Sequence, residues 1–380
     1  MIEQLLREWP PGFGGVERVA HELANIWGGA VYSLDVQCQR GVGHDPFLVG
    51  YPRRHLPCVN PFGRLHLPFP TRALWHLLRS SNPLHGHLPS PGVLLVLVLA
   101  RLIRPRRRVS VHWHCFLESD RSANGLLYAT YEWLALRLVP LFATVVTTSP
   151  LLAQELQRCG CCKHRIFVLP CCLNQQQERL GLALPTPVAP VGRPLQVLFI
   201  GRLDSYKRLD WLLQALAQLT SPWRLVVVGD GPKRSCFEQL AQRLFPRASP
   251  VRFLGRLSEA AKLEQLAAAD LLVLPSDCCN EAFGIAQLEA MAAGRVALAF
   301  DQPRSGMGWV GRLPGLPWSQ SPDGLTEVLQ RLSDQPVLCQ QLCVQARERY
   351  CKLFSRGVWL QQLQRFSDLA EGGMFCNSVE

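Results

Sequence analysis

Short, mostly apolar runs alternate with helix-patterned segments in the second half of the chain, and this alternation restricts the possible folds more than any other feature. The apolar runs are LQVLFI, WRLVVV, VRFLG, LLVLP and VALAF, and an amphipathic segment separates each from the next. Strands that are apolar on both faces need a cover on both faces, as in a parallel sheet wrapped by helices. The C-terminal half is therefore predicted to be an α/β domain.

The first half is less regular but contains the same two kinds of segment. ERVAHELANIW, GVLLVLVLARLI and LLYATYEWLALRLV have helical periodicity, whereas VSVHWH and ATVVTTS are typical of strands. Proline recurs in residues 180–194, LGLALPTPVAPVGRP, and favours an extended linker there. A chain of 380 residues is long enough for two cores. We therefore predict domains at residues 1–187 and 188–355, followed by a helix and tail at 356–380.

Charge and composition restrict the class of partner. The formal net charge of +11 favours anionic ligands such as nucleotides, phosphorylated lipids or anionic membrane surfaces. No basic cluster is interleaved with aromatic residues, so nucleic acid is not an expected partner. The longest apolar run, residues 93–103, is shorter than the roughly 20 residues that span a bilayer. The chain opens without a signal-peptide pattern, which predicts a cytoplasmic location.

The segment EAFGIAQLEAMAAG, which follows the predicted strand LLVLPS, contains the most informative residues. Glu281 and Glu289 are eight positions apart, which on a helix separates them by roughly 12 Å. This distance is too long for two carboxylates acting on one atom, but it suits an elongated ligand such as a nucleotide sugar. One carboxylate would accept hydrogen bonds from hexose hydroxyls and the other from the ribose.

Phe283, Gly284 and Ile285 lie between the two glutamates. If they begin a helix, their backbone N–H groups and the positive end of the helix dipole would face the diphosphate. Gly284 would allow the close approach because it has no side chain.

This segment resembles the Glu-x7-Glu signature of the retaining glycosyltransferases of family 4, the group 1 glycosyltransferases. The resemblance covers most of the chain and is strongest over residues 197–300. It implies the GT-B fold, an α/β architecture of two Rossmann-like domains with parallel sheets facing across a cleft. The first domain would bind the acceptor, the second would bind the nucleotide sugar, and the last helix would return to the first domain.

Further motifs extend the resemblance to individual residues. GRLDSYKRLD is similar to a glycine-arginine turn with a lysine at the next helix start, which implies Arg202 and Lys207 as diphosphate ligands. WPPGFGGVERVAHELA is similar to the family's opening pattern, so Gly14 and Gly15 are candidate donor-side residues. His114, at the end of VSVHWH, corresponds to a histidine near the transferred sugar and is a catalytic candidate together with Glu281.

The implied function is transfer of a hexose from a nucleotide-diphosphate sugar to a glycan or lipid-linked acceptor, with retention, in cell-surface polysaccharide or lipopolysaccharide synthesis. A nucleotide-sugar epimerase or a phosphorylase on the same fold remains an alternative, as does a catalytically silent nucleotide-sugar-binding protein. The motifs do not define the sugar, the base, the acceptor or the linkage.

No cofactor and no metal are expected. The motifs lack an Asp-x-Asp that would hold a metal on the diphosphate, and arginine, lysine and the helix end would serve instead. The segment CGCCKH lacks the paired Cys-x2-Cys spacing of zinc sites. The basic run from Arg104 to Arg108, beside residues 93–103, predicts peripheral contact with the inner face of a membrane.

Overall fold

The computed structural model describes residues 1–12, 14–34, 49–59, 66–118, 123–247 and 249–372. The chain divides into two compact units. The first contains Met1–Pro170 and the chain from Gln362 onward, and the second contains Cys171–Gln361.

A seven-stranded parallel sheet forms the centre of the first unit, with the strand order β3-β2-β1-β6-β7-β8-β9. Its strands are β1 (Glu3–Leu6), β2 (Val31–Ser33), β3 (Arg53–His55), β6 (Leu84–Leu88), β7 (Val109–Trp113), β8 (Thr144–Thr147) and β9 (Ile166–Val168). A separate antiparallel pair consists of β4 (Cys58–Val59) and β5 (Leu67–Pro68).

Among the described residues of the first unit before Pro170, five α-helices accompany this sheet, and the three long helical patterns seen in the first half of the sequence are among them. They are α1 (Gly15–Trp27), α2 (Arg72–Arg79), α3 (Pro91–Ile103), α4 (Ala123–Phe142) and α5 (Pro150–Arg158). Helix α3 packs closely on β6, because a Cβ at Gly86 would lie 2.4 Å from the Leu97 side chain. The first half of the chain is therefore an α/β unit, as predicted.

The second unit contains a five-stranded parallel sheet with the order β12-β11-β10-β13-β14. Each apolar run identified in the sequence forms one strand: β10 (Leu195–Ile200), β11 (Trp223–Val228), β12 (Val251–Gly255), β13 (Leu271–Leu274) and β14 (Val296–Ala299). The last two runs are apolar throughout, and the strands that they form, β13 and β14, are buried along their whole length.

Within the described part of the second half, nine α-helices surround this sheet or follow it along the chain. They are α6 (Gln175–Ala183), α7 (Leu209–Ala217), α8 (Arg234–Leu244), α9 (Glu259–Ala268), α10 (Ile285–Ala292), α11 (Met307–Gly311), α12 (Leu325–Asp334), α13 (Pro336–Leu353) and α14 (Arg356–Gly372). No helix among the described residues has the length and apolar character needed to cross a bilayer.

The units divide at Pro170, whereas the proline-rich linker suggested a boundary after residue 187. The reason is helix α6, which packs within the second unit. The Tyr350 hydroxyl donates a hydrogen bond to the Glu178 carboxylate at 3.0 Å, and Gly181 lies against Ala292. Packing of α6 therefore places residues 171–187 with the second unit.

Helix α14 begins in the second unit, but its residues from Gln362 onward belong to the first. Its Phe366 ring lies 6.4 Å from the Trp27 ring, 6.3 Å from His85 and 5.4 Å from Phe167, measured between centroids. These contacts cover the face of the first sheet that also packs against α1.

The strand order of the second sheet defines where its functional loops meet. From β10 the chain moves outward to β11 and β12, and then crosses to the other side of β10 to form β13 and β14. Such a reversal leaves a crevice at the carboxyl ends of the two strands on either side of it, where ligands of open parallel sheets bind. The loops after β10 and β13 border this crevice.

Candidate active site

An ion pair between Lys207 and Glu281 joins the loops after β10 and β13. Lys207 ends a 3-10 turn at Ser205–Lys207, and its side chain is 9% exposed, against 18% for Glu281. The Lys207 ammonium donates a hydrogen bond to Glu281 Oε2. Two residues that the motifs assigned to different parts of a ligand are therefore in direct contact.

The surroundings of Lys207 keep it charged. Burial acts to lower the pKa of its ammonium, but the Glu281 carboxylate, followed by Tyr206, outweighs that effect and raises the pKa. The Tyr206 ring centroid lies 5.3 Å from Lys207 Nζ, and burial raises the pKa of its hydroxyl. The crevice therefore contains a permanent ammonium group whose counter-charge comes from the neighbouring loop.

Helix α10 begins only at Ile285, so Glu281 lies in the preceding loop and the helical distance assumed between the two glutamates does not apply. Gly284 ends that loop with φ 72° and ψ 73°, a left-handed conformation that favours glycine. The side chain of Phe283 is buried against Phe354, with 5.9 Å between ring centroids. Only its backbone is available to a ligand, together with the free N–H groups of the first helical turn.

Gln287 and Ser305 hold this loop in place, and neither was a site candidate from sequence. Gln287 Nε2 donates to the carbonyl oxygens of Phe283 at 2.9 Å and Met307 at 3.1 Å. The Ser305 hydroxyl donates to the carbonyl of Glu281 at 2.6 Å. The sequence signal that could have found Gln287 was its position inside the signature segment. For Ser305 it was the stretch RSGMGWV, residues 304–310, which resembles one branch of the family.

Glu289 lies on α10 and pairs with a lysine of α9. Lys262 Nζ donates to Glu289 Oε1 at 2.9 Å, and it also pairs with Glu259 at 2.9 Å. Glu289 is only about 7% exposed. Lys262 therefore supplies the positive charge that a buried carboxylate needs, although nothing in the sequence motifs singled it out.

Arg202 follows β10 directly and is largely free of protein contacts. Its guanidinium is 67% exposed and makes one long contact, 3.5 Å from Nε to the Asp204 carboxylate. It is thus a solvated cation at the same strand end from which Lys207 comes.

Gly14 and Gly15 lie at the start of helix α1 in the first unit, and a carboxylate of the same helix occupies the space beside Gly14. Gly14 is the N-cap residue, and a Cβ there would lie 2.2 Å from Glu17 Oε2. Burial, followed by the charge of Glu8, raises the pKa of Glu17. The glycine loop that the resemblance assigned to the donor is therefore covered by Glu17 in this structure.

His114 follows β7 in the first unit and belongs to a stack of histidines. Its ring lies 4.2 Å from that of His112, with an interplanar angle of 12°, and its Nε2 is 2.8 Å from His87 Nδ1. Burial, followed by the charges of His112 and His87, holds the pKa of His114 well below its usual value. His114 is therefore a neutral imidazole at physiological pH.

Among the described parts of the chain, one group of side chains brings three possible metal ligands together. The ring nitrogens of His85, His87 and His112 lie within 4.8 Å of one another. However, both nitrogens of His87 are already hydrogen-bonded, to His114 and to Gln4. The group therefore offers an available nitrogen on only two of its three imidazoles.

Two family models match consecutive parts of the chain. The model described as "Glycosyltransferase Family 4" matches residues 13–177, and the one described as "Glycosyl transferases group 1" matches residues 187–308. Both matches agree with the resemblance inferred from the motifs.

Curated relatives match over shorter segments. The D-rhamnosyltransferase WbpZ of Pseudomonas aeruginosa is 30% identical over 167 residues, which cover 43% of this chain and 42% of the relative. The phosphatidyl-myo-inositol mannosyltransferase of Mycobacterium tuberculosis is 35% identical over 109 residues, covering 28% of each protein. The aligned segments thus span less than half the length of these relatives.

Solved structures match over almost the whole chain. HepE of Anabaena, in complex with UDP, superposes with a TM-score of 0.73 at 18% identity, covering 97% of this chain and 99% of that protein. At this identity the likeness concerns the fold, and it confirms the predicted GT-B class of two α/β units with parallel sheets.

Proposed function

Because the chain belongs to the group 1 glycosyltransferases of family 4, we propose that it transfers a hexose from a nucleotide-diphosphate sugar to a glycan or lipid-linked acceptor, with retention at the anomeric carbon. The observation that carries the proposal is the ion pair between Lys207 and Glu281 at the reversal point of the second sheet. A cation and a carboxylate side by side match a ligand in which a diphosphate adjoins a sugar.

The cations of the second unit would bind the diphosphate. Lys207 and Arg202 both come from the carboxyl end of β10, and the first turn of α10 adds backbone N–H groups. Positive charge at this place stabilises the negative charge that develops on the departing nucleoside diphosphate. When the diphosphate binds Lys207, Glu281 is released from part of its ion pair and its carboxylate can accept hydrogen bonds from hexose hydroxyls.

Glu289 would accept hydrogen bonds from the ribose. Its contact with Lys262 uses Oε1 and supports the ionised carboxylate in a buried position. Phe283 and Ile285 would contribute through the backbone, on either side of Gly284.

The first unit would supply the acceptor side, with His114 beside the transferred hexose. The neutral state of His114 suits hydrogen bonding rather than charge compensation. Gly14 and Gly15 would contact the donor after Glu17 leaves the space beside Gly14. A donor-bound state would then differ from this structure at the start of α1.

We propose that the reaction needs no metal, because two cationic side chains and a helix end are available to the diphosphate. Treatment with excess EDTA should then leave transfer activity within about twofold of the untreated value, since no bound ion contributes to nucleotide affinity. Loss of activity that Mg²⁺ or Mn²⁺ restores would contradict this part of the proposal.

Peripheral attachment to an anionic membrane would bring a lipid-linked acceptor to the first unit, at the cytoplasmic side. Helix α3 contacts both α2 and α4, and the sequences of these three helices contain a single carboxylate, Glu132, which is buried. They expose large apolar side chains instead: Trp75, Leu95, Leu102, Ile103, Leu126, Leu127, Trp133, Leu134 and Leu141. Exposed apolar and basic groups without exposed acids are typical of proteins that lie on anionic lipid.

The relatives support cell-surface glycan or glycolipid assembly as the setting. One acts as a D-rhamnosyltransferase, and another transfers mannose to phosphatidyl-myo-inositol, as their names state. UDP and UDP-glucose complexes of HepE support a nucleotide-sugar donor.

A thermal-shift screen against UDP, GDP and ADP and their sugars tests the donor site, because a ligand that binds the folded state raises the unfolding midpoint. We expect one base to stabilise the wild type, and we expect Arg202→Ala and Glu289→Ala to lose that shift. No shift with any nucleotide would refute the donor assignment. Product analysis with the stabilising sugar then separates transfer from epimerisation or phosphorolysis, and binding without turnover would indicate a silent binding protein.

A further inference from the structure

A chain of three buried side chains in the first unit determines which nitrogen of His114 carries its proton. Gln4 on β1 is 0% exposed, and its Nε2 donates to the carbonyl of Ala20 on α1 at 3.2 Å. This bond orients the amide, so Gln4 Oε1 faces His87 Nε2 at 2.9 Å. An amide oxygen can only accept, and His87 Nε2 therefore carries a proton.

The next contact transmits this constraint to His114. Burial, followed by the charges of His85 and His112, keeps the pKa of His87 well below its usual value, and a neutral imidazole has a single N–H. His87 Nδ1 must then be an acceptor. His114 Nε2, 2.8 Å away, is consequently the donor, and the proton of the neutral His114 ring lies on Nε2.

The remaining nitrogen of His114 is left with a lone pair and without a protein partner. No hydrogen bond to His114 Nδ1 occurs within the described residues, and this nitrogen is not among the fully buried unpartnered atoms. His114 as a whole remains about 7% exposed. Its Nδ1 is thus accessible to a ligand and can only accept a hydrogen bond.

We propose that Gln4 and His87 are positioning residues that set the tautomer of His114. With this tautomer, His114 Nδ1 accepts a hydrogen bond from a hydroxyl group of the transferred hexose. This inference rests on the proposed function for the identity of the ligand. The tautomer itself follows from contacts within the first unit and exists without ligand.

The neighbouring histidines provide matched comparisons. His112 stacks on His114, but neither of its ring nitrogens has a hydrogen-bond partner. His112→Phe keeps a stacked ring and should leave the tautomer of His114 unchanged. Gln4→Leu and His87→Leu remove the constraint, whereas His87→Gln can still donate to Gln4 and accept from His114.

The test combines ¹⁵N NMR of the ring nitrogens in the full-length protein with binding of UDP-glucose and of UDP alone. His114→Gln identifies the His114 signals. We expect a protonated Nε2 and an unprotonated Nδ1 in the wild type, in His87→Gln and in His112→Phe. In Gln4→Leu and His87→Leu we expect a mixture of tautomers, with UDP-glucose affinity reduced roughly five- to tenfold and UDP affinity unchanged.

The outcomes separate this inference from the proposed function. A wild-type His114 that is mixed or protonated on Nδ1 would overturn the inference, as would a tautomer insensitive to both leucine variants. Variants with an altered tautomer but wild-type UDP-glucose affinity would refute the recognition role. Failure of the wild type to bind any nucleotide in the thermal-shift screen would overturn the proposed function, while the NMR result would still decide the tautomer.

Discussion

At the scale of single residues, three parts of the candidate site are each matched by a neighbouring residue that a ligand would have to displace or share. Lys207 is neutralised by Glu281, Glu289 by Lys262, and the glycine loop of α1 is covered by Glu17. Buried charges are stable only when they are paired. Under the proposed function, the same residues would bind a charged ligand by exchanging partners.

Replacing one member of the Lys207–Glu281 pair should cost more stability than replacing both. Lys207→Met leaves the mostly buried Glu281 carboxylate without its counter-ion, at a cost of about 1–3 kcal/mol. Lys207→Met combined with Glu281→Gln removes the unpaired charge and should recover part of that loss. Thermal unfolding of the single and double variants measures the difference, and equal midpoints would show that the pair contributes nothing.

Glu17→Gln should stabilise the protein at neutral pH but not at acidic pH. The pKa of Glu17 is raised in the folded state, so its contribution to stability is complete below the unfolded pKa and is lost as the pH rises through the folded pKa. At pH 7 the ionised carboxylate opposes folding, and we expect the variant to melt up to a few degrees higher. This advantage should disappear near pH 4. The exposed Glu264→Gln is the control, and an equal effect from it would refute this explanation.

At the scale of elements, the start of α10 depends on one backbone conformation and one side-chain clamp. Gly284 takes the left-handed conformation that ends the loop, and Gln287 ties that loop to Met307, the first residue of α11. The position of the proposed diphosphate ligands on α10 thus depends on the junction between loop and helix.

Gly284→Ala should impair nucleotide binding beyond its effect on stability. Its added Cβ would lie 3.0 Å from Gln287 Nε2 and from Leu274 Cδ1, in a conformation that costs a non-glycine residue about 1–2 kcal/mol. Gly192 has a similar φ of 71° but open space around it, so Gly192→Ala isolates the backbone strain. We expect Gly284→Ala to lose at least as much stability as Gly192→Ala, with the nucleotide-induced thermal shift reduced only in Gly284→Ala. A full shift in that variant would contradict the assignment.

At the scale of the whole molecule, the first unit concentrates the features suited to a membrane surface. Of the four arginines in the basic run, Arg107 is buried and pairs with Glu3 at 2.7 Å, which leaves Arg104, Arg106 and Arg108 exposed. Arg107 therefore serves the fold, and the other three are available to lipid phosphates beside the exposed apolar residues of α3.

Neutralising the three exposed arginines should weaken binding to anionic vesicles at low salt. Each basic side chain near an anionic surface contributes about 1 kcal/mol, so Arg104, Arg106 and Arg108 changed together to Gln should lower partitioning at least tenfold. The charge-matched control replaces three exposed arginines of the second unit, Arg224, Arg243 and Arg252. Sedimentation with phosphatidylserine vesicles measures the effect. Equal loss in both triple variants, or no wild-type binding, would exclude this surface.

The sequence by itself determined the parallel sheets and the identity of most candidate residues. A strand covered on both faces must be apolar along its length, and a helix must repeat every 3.6 residues, so both patterns are visible locally. The signature segment likewise contained Glu281, Gly284 and Glu289, although the start of α10 and the contact that Glu289 makes with Lys262 could not be read from it.

Only the tertiary structure decided which of these residues meet. Lys207 and Glu281 are 74 positions apart, and Gln4 and His87 are 83 apart. Their contacts depend on β10 lying next to β13 and β1 next to β6. Strand order is set by the packing of whole elements, which local periodicity does not encode. The ion pair at the donor site and the hydrogen-bonded chain behind His114 are therefore properties of the fold.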